Sequence, residues 1–364
     1  MSQESKEALN IALITPYMYL EMYYYLSLYG NVYIQTYDEY YHGPYLSSKL
    51  RLLTHGYLHG IAGYIGWKLR SKRLAKALSR LFNPPHTFQT LHIPHDLGLA
   101  KPENIDLVIV VDLLCNYNLK PFKNAVKVYW AIDSFYDRRI FMYETLPGLD
   151  KYDLVFVAHE YGLKKLRDDG ISAEMLPLAL RYEWIYRPLH LRKEYDVVFI
   201  GRLQRNTHSR RMKILNEIKE KLNSKGINIL YTPAWHSDAA RLYNKSRIVL
   251  NITRAGEINL RLFEALGTRS FVLNDDGEVR LLFQPSEHVE VFSDVNDAVE
   301  KIYYYLVNED HREKVASNGF NEVIRNHTMY HRVERILQSA GFKITTKFSQ
   351  ILPFLFTKVD LNYD

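Results

Sequence analysis

The chain has 364 residues, enough for about two domains at roughly 150 residues each. Apolar residues make up 47% of the sequence and charged residues 24%, which is typical of a globular protein and excludes wholesale disorder. The net charge of +6 favours anionic ligands or surfaces but does not by itself indicate nucleic acid. The single Cys115 excludes an intramolecular disulfide and any site built from several thiolates.

Apolar runs alternate with helical periodicity along the chain, which predicts an α/β fold with a mostly parallel sheet. Predicted strands cover residues 10–15, 32–36, 105–112, 126–133 and 152–159, and then 195–201, 227–231, 247–252, 270–273 and 289–292. Predicted helices cover residues 209–223, 294–308, 310–325 and 328–340. In the first of these helices one apolar stripe is predicted from Met212 through Leu215 and Ile218 to Leu222, and the second opens with Asp294 as its cap. The segment 181–192 has neither period and separates the two sets of strands. We therefore expect domains at 1–190 and 191–340, with a tail, 341–364, that packs back on the protein.

Residues that directly follow parallel strands are candidate site residues, because ligands bind beyond the carboxyl ends of such strands. Gly201 and Arg202 follow one strand, and Arg210 lies in the helix that comes next. A glycine lets the backbone approach a ligand, while a helix N-terminus with arginines favours a phosphate. A turn glycine flanked by solvated arginines is the alternative interpretation.

The segment after the predicted strand 247–252 is more informative. It carries Thr253, Arg254, Asn259, Arg261 and Glu264. The carboxylate of Glu264 is able to accept hydrogen bonds from two vicinal hydroxyls, as in ribose, and Arg261 is able to hold attached phosphates. A surface ion pair between these two residues, three apart on one helix, is the alternative.

Two residues at predicted strand ends of the first half are candidate catalytic residues. Asp133 is placed to act as a general base or to orient a substrate hydroxyl, with helix capping as the alternative. His159 follows the next strand, where capping or packing is the competing interpretation. Asp275-Asp276-Gly277 follows a strand of the second half and is predicted to form a turn.

Several motifs of the second half resemble the donor half of group 1 glycosyltransferases, in particular their CgeB-like, spore-maturation-protein-type branch. They are Gly201-Arg202, Asn251-Ile-Thr and Asn259-Leu-Arg261-Leu-Phe-Glu264-Ala-Leu-Gly267. The resemblance implies the GT-B fold, in which two Rossmann-like domains face each other across a cleft. It also implies that the C-terminal domain binds a nucleotide sugar, with Glu264 on the ribose and Arg202 facing the diphosphate. The donor-binding residues expected are Gly201, Arg202, Arg210, Thr253, Arg254, Asn259, Arg261 and Glu264.

The resemblance further implies a hexosyltransferase-type enzyme that retains anomeric configuration and uses a UDP-sugar, with no cofactor and no metal. No Asp-x-Asp metal motif occurs in the sequence, so arginines and a helix N-terminus are expected to stabilise the leaving diphosphate. The sequence departs from the family pattern at three places. Gly256 stands where a second glutamate is usual, with Glu257 beside it, and Thr207 stands where a lysine is usual. Thr15-Pro16-Tyr17 replaces the Gly-Gly turn that usually follows the first strand.

The acceptor is open, and a glycan, a lipid-linked sugar or a protein would each fit. Residues 40–95 contain no Asp or Glu, and the 49–80 segment carries eight Lys and Arg among apolar residues. Such a segment is able to lie on an anionic membrane, although a solvated basic face is the alternative. Because it has no secretory signal and no run of ~20 apolar residues, the chain is expected in the cytoplasm, where it is able to associate peripherally with a membrane. An epimerase-type enzyme and a catalytically silent binding subunit remain as alternatives, and nucleic-acid binding is disfavoured.

Overall fold

The computed structural model describes residues 8–16, 21–37, 101–112, 117–132, 146–201, 209–223 and 226–344. Several sequence predictions fall outside these residues: those on Asp133, Arg202, Thr207, the basic segment 49–80 and most of the tail. The chain divides into two compact units, residues 1–155 and 156–364. The domain boundary expected near residue 190 stays a prediction.

The first sheet has six strands in the order β2-β1-β3-β4-β5-β6. These are β1 (Leu9–Pro16), β2 (Gly30–Tyr37), β3 (Leu107–Val111), β4 (Val126–Ala131), β5 (Leu154–Val157) and β6 (Glu174–Met175). β1 pairs in parallel with β2 on one side and β3 on the other. Every residue of β3 is buried, as expected of a strand whose two faces are both covered.

The second sheet has five parallel strands in the order β11-β10-β9-β7-β8. These are β7 (Tyr195–Ile200), β8 (Ile229–Thr232), β9 (Ser246–Asn251), β10 (Phe271–Asp275) and β11 (Glu290–Phe292). The chain passes from β7 to β8 on one side and then returns to place β9 on the other side of β7. The carboxyl ends of β7 and β9 therefore flank the reversal point at which open α/β sheets bind their ligands.

Eight α-helices are found among the described residues: α1 (Met22–Leu26), α2 (Glu160–Asp168), α3 (Ser209–Asn223), α4 (His236–Asn244), α5 (Leu260–Gly267), α6 (Val295–Val307), α7 (Glu309–Asn326) and α8 (Met329–Ser339). Short 3₁₀ helices lie at Pro102–Asn104, Leu146–Lys151 and Glu278–Leu281. In the part of the chain that the structure describes, no helix is long and apolar enough to cross a bilayer.

The α/β prediction is confirmed, since each predicted strand and helix has an observed counterpart that differs only at its ends. The buried stripe of α3 differs in one respect. It was expected to begin at Met212, but Arg211 is buried and Met212 is only partly so. The stripe then continues through Leu215, Ile218 and Leu222 into the core of the second unit.

Candidate functional site

Gly201 directly follows β7 and permits a close contact there. Its backbone N–H donates to the carbonyl of Thr232 at the end of β8, at 3.0 Å. A Cβ atom at this position would lie 2.6 Å from Nη2 of Arg261 and 3.0 Å from Cζ of Phe199. The absence of a side chain at residue 201 is therefore what lets the Arg261 guanidinium lie against the end of β7.

A hydrogen-bond network fixes the start of α5 on the end of β9. The Asn259 side chain caps the helix by accepting the N–H of Leu262 at 3.2 Å. Its Nδ2 donates to Oδ1 of Asn251, the last residue of β9, at 3.2 Å. The same Asn251 oxygen accepts Nη1 of Arg261 at 2.9 Å, so one side chain positions both the helix and its arginine.

Two arginines share the ring of Phe199 at this point. The guanidinium of Arg261 lies 4.5 Å from the ring centroid and that of Arg211 lies 5.9 Å from it. Burial, helped by the charge of Arg261, lowers the pKa of Arg211 to about 10, and burial also lowers the pKa of Arg261.

Neither guanidinium forms an ion pair with a described residue, because the nearest described carboxylates lie beyond 4 Å. In the same part of the chain, the buried Nε of Arg211 has no hydrogen-bond partner. Two half-desolvated positive charges at the reversal point of the sheet form a site that an anion would stabilise.

Arg210 is engaged differently from its neighbour. Its Nη1 pairs with Oδ2 of the buried Asp275 at 2.8 Å, and Thr253 donates to Asp275 through both its N–H and its hydroxyl, each at 2.9 Å. Asp275 thus ends strand β10. The turn predicted for residues 275–277 is wrong at this residue, because the cluster of donors holds the carboxylate inside, and only Asp276 and Gly277 leave the strand.

Glu264 lies one turn after Arg261 but pairs with another residue. Its Oε1 is 3.5 Å from Nη2 of Arg181, and both side chains are mostly buried. Burial and then the Glu264 carboxylate raise the pKa of the adjacent Tyr186 well above its ordinary value. The surface ion pair between Arg261 and Glu264 is not formed. A carboxylate offers about four lone-pair sites, so Glu264 keeps acceptor capacity beyond Arg181.

The loop between β9 and α5 turns Glu257 onto its own backbone. The two carboxylate oxygens accept the N–H groups of Arg254 and Ala255 at 2.8 and 2.6 Å. Gly256, where a glutamate was expected, has a φ of +92°, a conformation that favours glycine. The carboxylate of Glu257, beside Gly256, therefore closes the loop by accepting hydrogen bonds from the loop's own backbone.

His159, a predicted catalytic residue, contacts a glutamate that sequence reasoning did not select. Its Nδ1 lies 3.3 Å from Oε2 of Glu278, whose Oε1 accepts the N–H of Glu160 at 2.9 Å. Burial acts to raise the pKa of Glu278, but hydrogen bonds from His159 and from backbone N–H groups outweigh it and lower the pKa. Glu278 thus fixes the His159 ring and the start of α2.

The structure brings some predicted residues together and adds others. The ends of β7, β9 and β10 bring together Gly201 and Arg261. Arg210 and Thr253 lie at the same place because both bind the carboxylate of Asp275. The residues that sequence reasoning missed are Arg181, Arg211 and Glu278, and Asn251 was quoted in a motif without a role of its own. Arg211 did carry a signal, because it lies four residues before Leu215 on the apolar stripe of α3. No group of three or more His, Cys, Asp or Glu side chains suited to a metal occurs among the described residues.

A match to a family model falls on the same segment. Residues 183–338 match the family described as glycosyl transferase-like. The matched segment lies within the second unit. It contains all five strands of the second sheet and, with them, Gly201, Arg211, Arg261 and Glu264. No curated protein matches the chain in sequence.

Solved structures of glycosyltransferases have the same fold over nearly the whole chain. Sucrose-phosphate synthase from Thermosynechococcus elongatus is 12% identical with a TM-score of 0.56, covering 95% of this chain and 100% of that one. HepE of Anabaena, in complex with UDP and glucose, is 10% identical with a TM-score of 0.57, covering 92% and 99%. A glycosyltransferase from Rickettsia africae is 12% identical with a TM-score of 0.52, covering 92% and 98%. The fold is that of GT-B glycosyltransferases, as predicted.

Proposed function

We propose that this protein is a glycosyltransferase that moves a hexose from a nucleoside diphosphate sugar to an acceptor hydroxyl. The observation that carries the proposal is the pair of guanidiniums of Arg211 and Arg261 at the reversal point of the second sheet, which form no ion pair within 4 Å with a described residue. The site lies inside the segment that matches the glycosyl transferase-like family. The CgeB-like branch is our finer assignment within these enzymes.

The donor is assigned to the second sheet by the chemistry of its side chains. Arg211 and Arg261 hold the diphosphate, where guanidiniums form strong charge-assisted hydrogen bonds. Glu264 accepts the ribose hydroxyls while the contact with Arg181 orients its carboxylate. Arg202 adds charge from beyond the described residues. We expect the donor to be a UDP-sugar, since the similar HepE structure is a complex with UDP and glucose.

We further propose that transfer is metal-independent and retains the anomeric configuration. Charge builds up on the leaving diphosphate during transfer, and two preorganised guanidiniums supply the positive charge that stabilises it. Retention rests on the resemblance of the Asn259–Gly267 motif to retaining enzymes. Asp133 and His159 are assigned to the acceptor hydroxyl, as base or orienting group.

The test is turnover of UDP-sugars in the presence of EDTA, with and without candidate acceptors. We expect release of UDP that rises when an acceptor is added, and a product whose anomeric proton, read by NMR, matches that of the donor. Arg261→Gln and Glu264→Gln should lose turnover, whereas the exposed Glu300→Gln should keep it. Loss of turnover in EDTA that is restored by a divalent cation would contradict metal independence.

One observation favours a second function, that of a catalytically silent subunit which binds the nucleotide sugar. Gly256 replaces an acidic residue, and Glu257 uses both carboxylate oxygens on its own loop. A silent subunit would bind UDP in a Glu264-dependent way and yet release no UDP from any donor. Turnover without acceptor, with change of the sugar itself, would instead indicate an epimerase-type enzyme.

A further inference from the structure

The group of aromatic residues beside Glu264 has no part in the functions assigned so far. The ring of Tyr182 contacts that of Trp184 at 5.4 Å between centroids and that of His236 at 5.9 Å, both edge to face. Trp235, the residue before His236, exposes 58% of its surface. We call Tyr182, Trp184, Trp235 and His236 the aromatic group.

A chain of contacts connects this group to Glu264. Arg181, which pairs with Glu264, lies 5.5 Å over the ring of Tyr182. The Tyr182 ring in turn meets His236 at the start of α4. From the other side, α4 packs against α5, the helix that carries Glu264. The aromatic group therefore borders the ribose end of the proposed donor site.

The same group also follows the strand end that borders Gly201. Thr232, the last residue of β8, accepts the N–H of Gly201, and Trp235 comes three residues later in the loop to α4. The loop that carries Trp235 therefore begins at the carboxyl edge of the sheet, the edge at which ligands bind in this fold.

The backbone is strained where the group meets. Tyr182 and His236 have φ values of +52° and +48°, in a region that residues other than glycine seldom adopt. These two residues contact each other ring to ring, so both strained backbone positions lie in the aromatic group. Such strain persists where surrounding structure fixes it, and it clusters at binding sites.

We propose that Trp235, directly before His236 at the start of α4, is the surface on which the nucleobase of the donor stacks. The inference rests on the proposed function, because it places the base beyond a ribose bound by Glu264. A flat, exposed indole suits this role, since every nucleobase has a π-face and stacking tolerates base identity. Base selectivity then comes from groups around the edge of the base.

The experiment is calorimetric titration of UDP into the full chain and three variants, in EDTA. Trp235→Ala should raise the Kd of UDP by about 10- to 100-fold, the range expected on loss of one base–aromatic stack. Trp235→Phe keeps an aromatic face and should keep most of the affinity. Tyr304→Ala, which removes another half-exposed aromatic side chain on α6, should bind UDP as the wild type does.

Fluorescence and a ligand without a base sharpen the test. Binding of UDP should quench tryptophan emission in the wild type, and Trp235→Phe should lose this quenching while it still binds. Ribose 5-phosphate, which has no base, should bind wild type and Trp235→Ala with equal Kd.

The inference and the proposed function fail in different ways. An unchanged UDP Kd in Trp235→Ala, beside a large loss in Glu264→Gln, would overturn the stacking role and leave the donor site standing. An equal loss for UDP and ribose 5-phosphate would also overturn it, because Trp235 would then support the loop rather than the base. A wild type that binds none of UDP, GDP, ADP, CDP and dTDP would overturn both.

Discussion

At the scale of single residues, Arg210 and Arg211 are adjacent in sequence and opposite in role. Arg210 is half-exposed and paired with Asp275, whereas Arg211 is buried without a carboxylate within 4 Å among the described residues. A buried charge without a partner costs stability, and proteins retain such costs at sites where a ligand supplies the missing charge. Arg211 therefore marks the diphosphate position more strongly than its neighbour does.

Replacing Arg211 should separate stability from binding. Arg211→Met keeps an unbranched apolar stem on the buried stripe of α3 and removes the charge, so we expect the ligand-free Tm to stay or rise while UDP affinity falls at least about tenfold. Thermal scans with and without UDP measure both effects. Arg210→Met is the matched control and should lower the ligand-free Tm, because it leaves buried Asp275 without its guanidinium. A drop in ligand-free Tm for Arg211→Met, with UDP affinity intact, would contradict the account.

Gly201 gives a second prediction at this scale. A methyl group there would meet Nη2 of Arg261 at 2.6 Å, and that flexible guanidinium would move before the backbone does. Gly201→Ala should therefore weaken UDP binding clearly while the Tm changes little. Gly170→Ala, on an open and positive-φ turn, is the converse control that should cost some stability and leave binding unchanged. A UDP affinity of Gly201→Ala equal to that of wild type would show that binding does not depend on the placement of the Arg261 guanidinium at the end of β7.

At the scale of elements, the end of α7 and the start of α8 form a buried polar joint. Arg332 on α8 donates to the carbonyls of Pro177 and Leu178 at 2.6 and 2.9 Å, and to Nδ1 of His327 at 3.1 Å. Burial, followed by the charge of Arg332, lowers the pKa of His327 to about 3 and that of His331 to about 4. Both histidines are thus neutral in the folded protein at ordinary pH.

This joint predicts a pH dependence of stability. Because the folded pKa values lie below the ordinary value near 6.5, the unfolded chain takes up these protons first as the pH falls. The contribution of the two histidines to the free energy of unfolding should be fully present above about pH 6.5 and should decline as the pH drops from there towards 4. Glu322, which faces His327 at 3.3 Å, opposes the effect only in part. Tm measured against pH should show this decline in the wild type and in the exposed His190→Gln, and a shallower one in His327→Gln. A Tm unchanged between pH 7 and about 4.5 would contradict it.

Sequence patterns predicted the elements of the second unit better than the contacts of its site. The stripe of α3, the Asp294 cap of α6 and the strands β7 to β11 follow from period and capping, which are local signals. Arg181 and Glu278 carried no such signal. Each acts through a partner distant in sequence, Arg181 on Glu264 and Glu278 on His159, so only the folded chain reveals them.

At the scale of the whole molecule, the fold and the site support each other from independent observations. The full-length similarity to GT-B structures concerns backbone alone at 10 to 12% identity. The paired arginines, the capped start of α5 and the Arg181–Glu264 pair are side-chain features of this chain. Together they support the proposed nucleotide site at the position where open α/β sheets bind their ligands.

The basic segment 49–80 gives a prediction for the full chain. It has eight positive charges and no negative ones, so we expect the protein to co-sediment with phosphatidylserine-containing vesicles at low salt and to be released by high salt. Uncharged phosphatidylcholine vesicles are the control. Changing Lys72, Arg73 and Lys76 to Gln should reduce binding. Equal sedimentation with both kinds of vesicle would contradict an electrostatic contact.

The most direct test of the central claim is the affinity of UDP for wild type, Glu264→Gln and Glu300→Gln, measured by calorimetry in EDTA. We predict that UDP binds to wild type and Glu300→Gln without any metal. Glu264→Gln should lose at least about tenfold in affinity, since an acceptor to the ribose hydroxyls is removed. Equal affinity in all three proteins, or no binding to the wild type by UDP or any other nucleoside diphosphate, would contradict it.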